Sequence, residues 1–416
     1  MTFSLKLTEE QESARDWAHD FAENEMRLAE VDGLPAHRYY DEHEEFPWPI
    51  VQKAAEIGLY GLDYYSMAGQ DQSGITSALV LEETFWGCAG IGLAIFGSGL
   101  ALAGLASSGT GEQIGEWSQR IFGTPEDPKV GAYAVSEPGA GSDVSRIRTR
   151  AEKVEGGWLL NGEKIWITNG GIADVHIVVA TVDPDLGHRG QASFIVTQDA
   201  EGFSQTKKVK KLGIKASHTA ELALQDVFVP DDQLLGGEEK LNAKMERAKN
   251  PDKGKKSKSG ALSTFEATRP IVGIQAVGIA RAAYEQSVEY AMQRETFGVP
   301  IIRHQAIAFK LADMATEIDA ARLLCWRGIN MGVTQTPYQQ GEGSMAKLKA
   351  GRVAVWATDE AIQIHGGFGY SREFDVEKFH RDAKIYEIFE GTKEIQQLVI
   401  SRQIARSFGA PKEARP

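Results

Sequence analysis

A carboxylate near the C-terminal end of the chain has the surroundings of a general base. Glu390 follows the apolar pair Ile388 and Phe389 and precedes Gly391 and Thr392. An apolar neighbourhood raises the pKa of a carboxyl group because it removes water from the charged form. Gly391 would let the backbone approach a ligand closely, and Thr392 could cap a following helix through its hydroxyl. The alternative is an ordinary surface glutamate before a helix, since structural carboxylates outnumber catalytic ones.

Three other segments have residue types that could hold a ligand. Residues 137–143 (EPGAGSD) follow a predicted strand and offer backbone N–H groups and the Ser142 hydroxyl to an anionic or carbonyl-rich ligand. Trp166 and Thr168 should share one face of a later strand because strand side chains alternate. Residues 363–367 (QIHGG) end a long predicted helix. Taken singly, these segments are also compatible with a tight loop, core residues and a glycine C-cap.

Absent motifs, the net charge and the cysteine spacing argue against several other classes of protein. No G-x-G-x-x-G joins a strand to a helix and no G-x-x-x-x-G-K-[ST] is present, which disfavours a Rossmann nicotinamide enzyme. The net charge is -13, from 45 Lys+Arg against 58 Asp+Glu, which argues against nucleic acid as a partner. Cys88 and Cys325 lie far apart, and no cysteine–histidine spacing predicts a metal site.

The elements that must position these residues fall into an α–β–α order. A chain of 416 residues exceeds the size at which one core usually stops growing, so several domains are expected. A capping box from Thr8 to Gln11 opens a helical region, β-rich runs begin after Pro128, and long helical periods return after Ser263. We predict an α+β fold with an N-terminal α-helical domain (1–128), a middle antiparallel β domain (129–236), a basic insert (237–261) and a C-terminal helical bundle (262–416).

Two local patterns add detail to this division. The Asn161-Gly162 pair, between Leu160 and Glu163, predicts a two-residue hairpin turn, because both positions of such a turn need positive φ. Residues 238–260 are rich in lysine and broken by glycine, which predicts a solvated loop because such a segment buries too little apolar surface. The sharper alternative is a basic flap that reaches the phosphates of a ligand, with Lys255 and Lys256 as the candidates.

The N-terminus lacks the basic-then-apolar layout of a secretory signal, so we expect it to begin folded structure. The most apolar region, Ile91 to Ala106, is interrupted by glycines, and no uninterrupted apolar run reaches the roughly 20 residues that cross a bilayer. We therefore predict a cytoplasmic protein with no membrane span.

In combination, the motifs resemble those of the acyl-CoA dehydrogenase family. The resemblance extends over almost the whole chain, because the motifs occur in the family's order: EPGAGSD (137–143), WITNGG (166–171), KLGIKAS (211–217), TRP (268–270), RETFG (294–298), QIHGG (363–367) and EGT (390–392). It implies a helical domain, an antiparallel β domain and a C-terminal four-helix bundle, with one non-covalent FAD per subunit and an acyl thioester between the flavin ring and the base.

The resemblance also implies a mechanism. Glu390 matches the base of the short- and medium-chain type enzymes, which removes the α-proton while the β-hydrogen leaves as hydride to flavin N5 and a trans-2-enoyl-CoA forms. Other members carry the base immediately before the arginine that matches Arg269. This chain has Thr268 there, which cannot act as a carboxylate base, so the comparison favours Glu390.

Further site residues follow from the same resemblance. Those implied around the flavin ring are Tyr133, Val135, Ser136, Gly141, Ser142, Trp166 and Thr168, with Thr168 as donor to N5. Those implied along the pyrophosphate and adenosine, partly across a subunit contact, are Arg294, Thr296, Phe297, Gln305, Gln363, Gly366, Gly367, Thr392 and Glu394. The substrate set is Ser142, Glu266, Arg269 and Gly391, although Glu266 is one methylene longer than the aspartate of the medium-chain pattern.

Three aspects of the function stay open at this point. The electron acceptor implied by the family is an electron-transferring flavoprotein, but an oxidase that uses oxygen is an alternative, as is a non-catalytic flavin-binding subunit of a mixed oligomer. The shared cofactor site implies a homo-oligomer, a dimer of dimers. Small residues such as Gly97 and Gly99 could leave room for a bulky acyl group, or could permit close helix packing.

Overall fold

The structure, a computed structural model, describes residues 6–249 and 260–409, and of residues 260–267 the backbone only. The N-terminal region is helical. Its helices are α1 (Glu9–Phe21), α2 (Ala36–His43), α3 (Trp48–Glu56), α4 (Gly61–Gln70), α5 (Ile75–Gly87), α6 (Ala89–Phe96), α7 (Gly99–Ser108) and α8 (Gly111–Phe122). Between α1 and α2 lie a π-helical turn (Ala22–Leu28) and the short strands β1 (Glu30–Val31) and β2 (Leu34–Pro35). The predicted capping box is present, with Thr8 and Gln11 each bonding the other's backbone.

The middle of the chain forms one seven-stranded sheet. Its strands are β3 (Gly131–Ala134), β4 (Arg150–Val154), β5 (Gly157–Thr168), β6 (Val175–Thr181), β7 (Gln191–Thr197), β8 (Phe203–Lys208) and β9 (Thr219–Pro230). The order is β3-β6-β4-β5-β9-β8, with β7 paired to β6. Most pairs are antiparallel, as predicted, but β3 runs parallel to β6, and β4 makes one parallel pair with β6 at Arg150 and Thr181.

The hairpin predicted at Asn161-Gly162 is wrong. The β4–β5 turn lies at residues 155–156, and β5 continues through Asn161 with a register shift between Leu160 and Gly162. The Asn161 side chain instead bonds Asp226 of β9, donating to Oδ1 and accepting from the backbone N–H, both at 2.9 Å. Asn161 therefore lies at a bulge between two long strands. Its side-chain amide is satisfied by Asp226 on the neighbouring strand, rather than within a turn.

Helices return after the sheet. They are α9 (Gly237–Lys249), α10 (Gly260–Gln293), α11 (Gln305–Val333), α12 (Glu342–His365), α13 (Val376–Ala383) and α14 (Lys393–Ser407), with the short strands β10 (Glu295–Thr296) and β11 (Val299–Pro300) before α11. α12 packs against α10, α11 and α14, and α10 also packs against α5 of the N-terminal region. Arg281 of α10 and Arg322 of α11 pair with Glu82 and Glu83 of the buried helix α5, which ties the two helical regions together.

The prediction of a solvated loop over residues 238–260 is wrong for its first half. Residues 237–249 form α9, in which Leu241 is buried and Lys244 donates to the carbonyl oxygen of Gln191 on β7. Lysine stems can cover apolar surface while their amines bond carbonyls, so lysine content alone does not exclude a packed helix. Lys255 and Lys256 lie outside the described residues.

The apolar region near residue 100 is a closely packed core segment. Among the described residues, one segment, Ala89–Ser108, is long and apolar enough to cross a membrane, and 56% of its most apolar stretch is buried inside the protein. A Cβ atom on Gly99 would lie 2.1 Å from Tyr65 Oη, and one on Gly97 would lie 3.1 Å from Thr168 Cγ2. These glycines favour the close-packing alternative over room for a bulky group. The absence of a membrane span stays a prediction.

Candidate active site

The candidate base lies in a strained turn between two helices. Glu390 has φ +55° and Gly391 has φ +90°, so consecutive residues adopt the left-handed conformation. A non-glycine residue held in that region costs on the order of 1–3 kcal/mol and occurs most often at functional sites. The turn ends at Thr392, whose Oγ1 accepts from the N–H of Ile395 at 3.3 Å and caps α14, as the sequence predicts.

The carboxylate of Glu390 is half-buried against α10. Thr268 Oγ1 donates to Glu390 Oε2 at 3.0 Å. Burial raises the pKa of Glu390 above its usual value, while the Thr268 hydroxyl and the charges of Lys347 and Arg269 lower it without cancelling the rise. The direction agrees with the sequence prediction, but Ile388 is itself 49% exposed, so the immediate apolar neighbours contribute less than the sequence indicates.

Two buried side chains that the sequence analysis did not single out hold this turn. Lys347 Nζ of α12 donates to the carbonyl oxygen of Gly391 at 2.8 Å. Gln396 Nε2 of α14 donates to the carbonyl oxygens of Gly391 and Glu390 at 2.8 and 3.1 Å. The backbone of the turn is therefore bonded from two helices.

Besides Gly391, the predicted substrate residues lie on α10 and on the loop after β3. Arg269 follows Thr268 on α10, is buried, and donates from Nη1 to Ser344 Oγ at 3.0 Å. This brings a fixed cation beside the candidate base. Glu266 lies on the same helix, but its side chain is outside the described residues. Ser142 lies on an exposed part of the loop that follows β3.

The loop after β3 is held by a buried ion pair. Glu137 Oε1 accepts from Lys164 Nζ at 2.8 Å, and the Lys164 amine also donates to the carbonyl oxygens of Val135 and Val179. Glu137 further accepts from the Thr149 N–H at 2.9 Å. Because its carboxylate is saturated with donors, Glu137 anchors the loop rather than acting as a base.

The residues implied around a flavin ring lie along this loop and the end of β5. Tyr133 and Val135 are buried and Ser136 is half-buried, whereas Gly141 is exposed. The Ser136 carbonyl oxygen accepts from the N–H of Ile165 at 2.9 Å, which connects the loop to β5.

The Trp166–Thr168 pair does not follow from simple strand alternation. Trp166 has φ +61° and the pairing of β5 with β9 shifts register between Lys164 and Ile167. Trp166 is 62% exposed, Ile167 is buried and Thr168 is half-buried. The left-handed residue therefore interrupts the regular pleat of β5 at Trp166. The next residue, buried Asn169, donates from Nδ2 to the carbonyl oxygen of Gly131 at 3.1 Å and fixes the strand end beside β3.

A cleft of about 730 Å³ contains four of the residues implied along the cofactor. Arg294, Thr296, Gly366 and Gly367 line it, together with Tyr290 and His365, whose rings stack at 4.3 Å. Phe297, Gln305 and Gln363 do not line it, and Phe297 is 97% exposed. Thr392 ends the turn of the candidate base, and Glu394 lies in the first turn of α14 that follows it. Within the described residues, no group of three His, Cys, Asp or Glu side chains could hold a metal ion.

Comparisons with known proteins decide the family. Three family models match in order: the acyl-CoA dehydrogenase N-terminal domain over residues 8–123, the middle domain over 132–227 and the C-terminal domain over 259–405. The chain belongs to the acyl-CoA dehydrogenase family. This confirms the predicted fold class and the prediction that the chain is an oxidoreductase of the acyl-CoA dehydrogenase type.

Individual relatives agree with this family. The chain is 36% identical over 407 residues to the mitochondrial short-chain specific acyl-CoA dehydrogenase of Rattus norvegicus, covering 97% of this chain and 92% of that protein. It is 35% identical to the structure of butyryl-CoA dehydrogenase from Megasphaera elsdenii, with a TM-score of 0.84 and coverage of 97% and 100%. A chain in a structure of the electron transferring flavoprotein of Acidaminococcus fermentans is 32% identical, with the same TM-score and coverage.

Acyl-CoA dehydrogenases are flavoproteins that use FAD, and the cleft suits part of that cofactor. A Cβ atom on Gly366 or Gly367 would meet nothing within 4 Å, so both glycines border open space. Arg294 supplies a fixed positive charge beside them, and a guanidinium with accessible backbone is suited to a diphosphate. The apolar lining residues Ile301 and Ile364 suit a neighbouring ring.

Proposed function

We propose that this acyl-CoA dehydrogenase oxidises a short-chain acyl-CoA thioester to the trans-2-enoyl-CoA, with Glu390 as the base that removes the α-proton. FAD, when bound, supplies the two-electron acceptor for the hydride that leaves the β-carbon. The observation that carries the proposal is the half-buried Glu390 carboxylate, held in a left-handed turn beside Thr268 and Arg269.

The contacts of Glu390 suit proton abstraction. The Thr268 hydroxyl occupies Oε2, which leaves Oε1 as the oxygen for the substrate proton. A carboxyl group with a raised pKa is a stronger base than ordinary glutamate. The buried Arg269 beside it lowers the cost of keeping that carboxylate charged.

A short acyl chain is supported by the relatives and by the packing near residue 100. The rat relative is named as short-chain specific, and the Megasphaera structure is named as a butyryl-CoA dehydrogenase. In this chain, Thr168 and Tyr65 already fill the space in front of Gly97 and Gly99.

We expect kcat/KM to be highest for straight chains of about four carbons and to fall by about tenfold or more for ring-bearing or long chains, a loss typical of a few poorly accommodated methylenes. A series of straight, branched and ring-bearing acyl-CoAs measures this preference. A maximum at long or ring-bearing chains would contradict it.

The remaining cofactor residues and the partners are part of the proposal. Tyr133, Val135, Ser136, Gly141, Ser142, Trp166 and Thr168 would surround the flavin ring, and Arg294, Thr296, Gly366 and Gly367 would hold the diphosphate. Phe297, Gln305, Gln363, Thr392 and Glu394 would complete the site across a contact between two copies, in a dimer of dimers.

The likeness to a chain in a flavoprotein structure supports an electron-transferring flavoprotein as acceptor. Peroxide formed at the rate of substrate oxidation would instead identify an oxidase.

The decisive experiment replaces the base. We expect Glu390→Gln to keep bound FAD and to bind butyryl-CoA while losing about 10²- to 10⁴-fold in kcat, the range for loss of a general base. Stopped-flow measurement of flavin bleaching without oxygen checks it. Glu387→Gln is the matched control, because Glu387 is ion-paired with Lys384 and Lys393, which hold its pKa below the usual value. Turnover in the Glu390 variant equal to that of the control would place the base elsewhere.

A further inference from the structure

Lys347 is a buried lysine that bonds the turn of the proposed base. It lies on α12 with 1% of its surface exposed. Its Nζ donates to the carbonyl oxygen of Gly391 at 2.8 Å, so the bond goes to backbone rather than to a carboxylate. Burying an ammonium costs free energy unless its charge has a use or a compensating partner. A neutral amide could make the same bond to a carbonyl, so the bond alone does not account for a charged residue.

Lys347 and Gln396 together fix the position of the turn. Gln396 is fully buried and donates to the carbonyl oxygens of both Glu390 and Gly391, while Lys347 adds a bond to Gly391 from another helix. These bonds lie next to a glutamate with φ +55°, a conformation that needs support from its surroundings. The carbonyl bonds therefore hold the Glu390 backbone, and Thr268 holds its carboxylate.

The charges around the turn give the ammonium a second effect. Burial lowers the pKa of Lys347 to about 8, while Glu390, Glu387 and Glu394 raise it and Arg269 lowers it. Of the carboxylates that act on Lys347, Glu390 has the largest effect. Reciprocally, Lys347 acts on Glu390 from α12, while Thr268 and Arg269 act from α10. Glu387 is already paired with Lys384 and Lys393, and Glu394 is exposed.

We propose that Lys347 is a positioning residue for the dehydrogenation: its ammonium holds the Glu390–Gly391 turn and stabilises the carboxylate form of Glu390. The inference rests on the proposed role of Glu390 as the base. The hydrogen bond of Lys347 goes to the backbone of the turn, so Lys347 acts through Glu390. Holding the turn needs a hydrogen-bond donor, whereas stabilising the carboxylate needs a positive charge, so substitutions can separate the two contributions.

Three substitutions separate the donor from the charge. Lys347→Gln keeps N–H donors and removes the charge, Lys347→Met removes both, and Lys347→Arg keeps both. Lys349→Met, two residues along α12, is the matched control, since Lys349 bonds Glu317 rather than the turn. We expect the acidic limb of the kcat profile to move up by about one pH unit in the Gln and Met variants, the size of effect that a nearby opposite charge has on a carboxyl pKa. The limb should stay in place in the Arg variant and in the control.

The same variants separate positioning from charge at high pH, where Glu390 is fully ionised. We expect Lys347→Gln to approach the parent kcat there, whereas Lys347→Met stays about tenfold or more below it because the turn is displaced. Infrared titration of the FAD-loaded enzyme without substrate gives a readout that is independent of turnover. The protonated-carboxyl band that Glu390→Gln abolishes should titrate about one pH unit higher in Lys347→Gln.

The possible results divide cleanly. An infrared titration and an acidic limb that stay unchanged in both Lys347→Gln and Lys347→Met would overturn the inference. If Lys347→Met does not fold, the comparison of Lys347→Gln with Lys347→Arg decides, since both keep the donor and only one keeps the charge. Failure of the proposed function has a different signature. Turnover retained by Glu390→Gln removes the base itself, whereas an inactive Glu390→Gln with unshifted Lys347 variants removes only the role of Lys347.

Discussion

The Glu390–Gly391 turn holds the proposed base in a backbone conformation that is unfavourable for a non-glycine residue. Glu390 accepts φ +55° because bonds from Lys347, Gln396 and Thr268 hold both its backbone and its carboxylate. Gly391, at φ +90°, has no side chain to resist the same turn. Strain maintained by surrounding bonds is typical of functional sites, which supports the choice of Glu390 over an ordinary surface glutamate.

We predict that Gly391→Ala impairs both stability and catalysis. Its new methyl group would lie 2.6 Å from Gln396 Nε2, the donor that bonds the carbonyl oxygens of Glu390 and Gly391. The left-handed conformation adds a cost of roughly 1–2 kcal/mol in the free energy of unfolding. We expect kcat to fall by about tenfold or more because the base moves with the turn. Urea unfolding and steady-state kinetics measure the two effects.

Gly156→Ala is the matched control for that substitution. Gly156 has φ +75° in the β4–β5 turn, and a Cβ atom there would meet nothing within 4 Å. We expect it to show the conformational cost with an unchanged kcat. Equal kcat values for the two variants would mean that the Gly391 turn does not position the base.

Elements whose signals are local follow directly from the sequence. The Thr8 capping box opens α1 and Thr392 caps α14, since each depends on residues within one turn of a helix. The order of the motifs indicates the family and, with it, the α–β–α arrangement. Elements decided by distant partners are not predicted. Asn161 bonds Asp226 across two strands instead of making a turn, and Lys244 of α9 bonds Gln191 of β7.

The residues that hold the candidate base are likewise not predictable from the sequence, because their contacts depend on how the helices pack. Lys347 and Lys349 are neighbouring lysines on α12, with similar sequence surroundings, yet Lys347 bonds the Glu390–Gly391 turn and Lys349 pairs with Glu317. The direction of each side chain depends on which helices pack around α12, and a single sequence does not give that arrangement. Glu390 is identifiable because its motif is contiguous, whereas Lys347 and Gln396 meet the turn only through the fold.

At the scale of the whole molecule, one subunit does not bring all the predicted cofactor residues to the cleft. Arg294, Thr296 and the two glycines line it, while Phe297 does not line it and has 97% of its surface exposed. Tyr370, next to the glycine turn, is 90% exposed. Exposed aromatic rings beside a ligand cleft are typical of an interaction surface. We therefore predict that a second copy of the chain covers these rings.

This arrangement predicts that oligomerisation and FAD binding are lost together. We expect Phe297→Asp to reduce the particle mass in light scattering and the FAD content of the purified protein by about tenfold or more, since a buried unpaired carboxylate at an interface costs several kcal/mol. The unfolding of the isolated subunit should change little, because the ring is almost fully exposed within one chain. Leu28→Asp is the control, a 64% exposed apolar residue in the N-terminal region. A site shared by two subunits loses its ligand when they separate. Full FAD content in a dissociated Phe297 variant would therefore show that one subunit binds the cofactor alone.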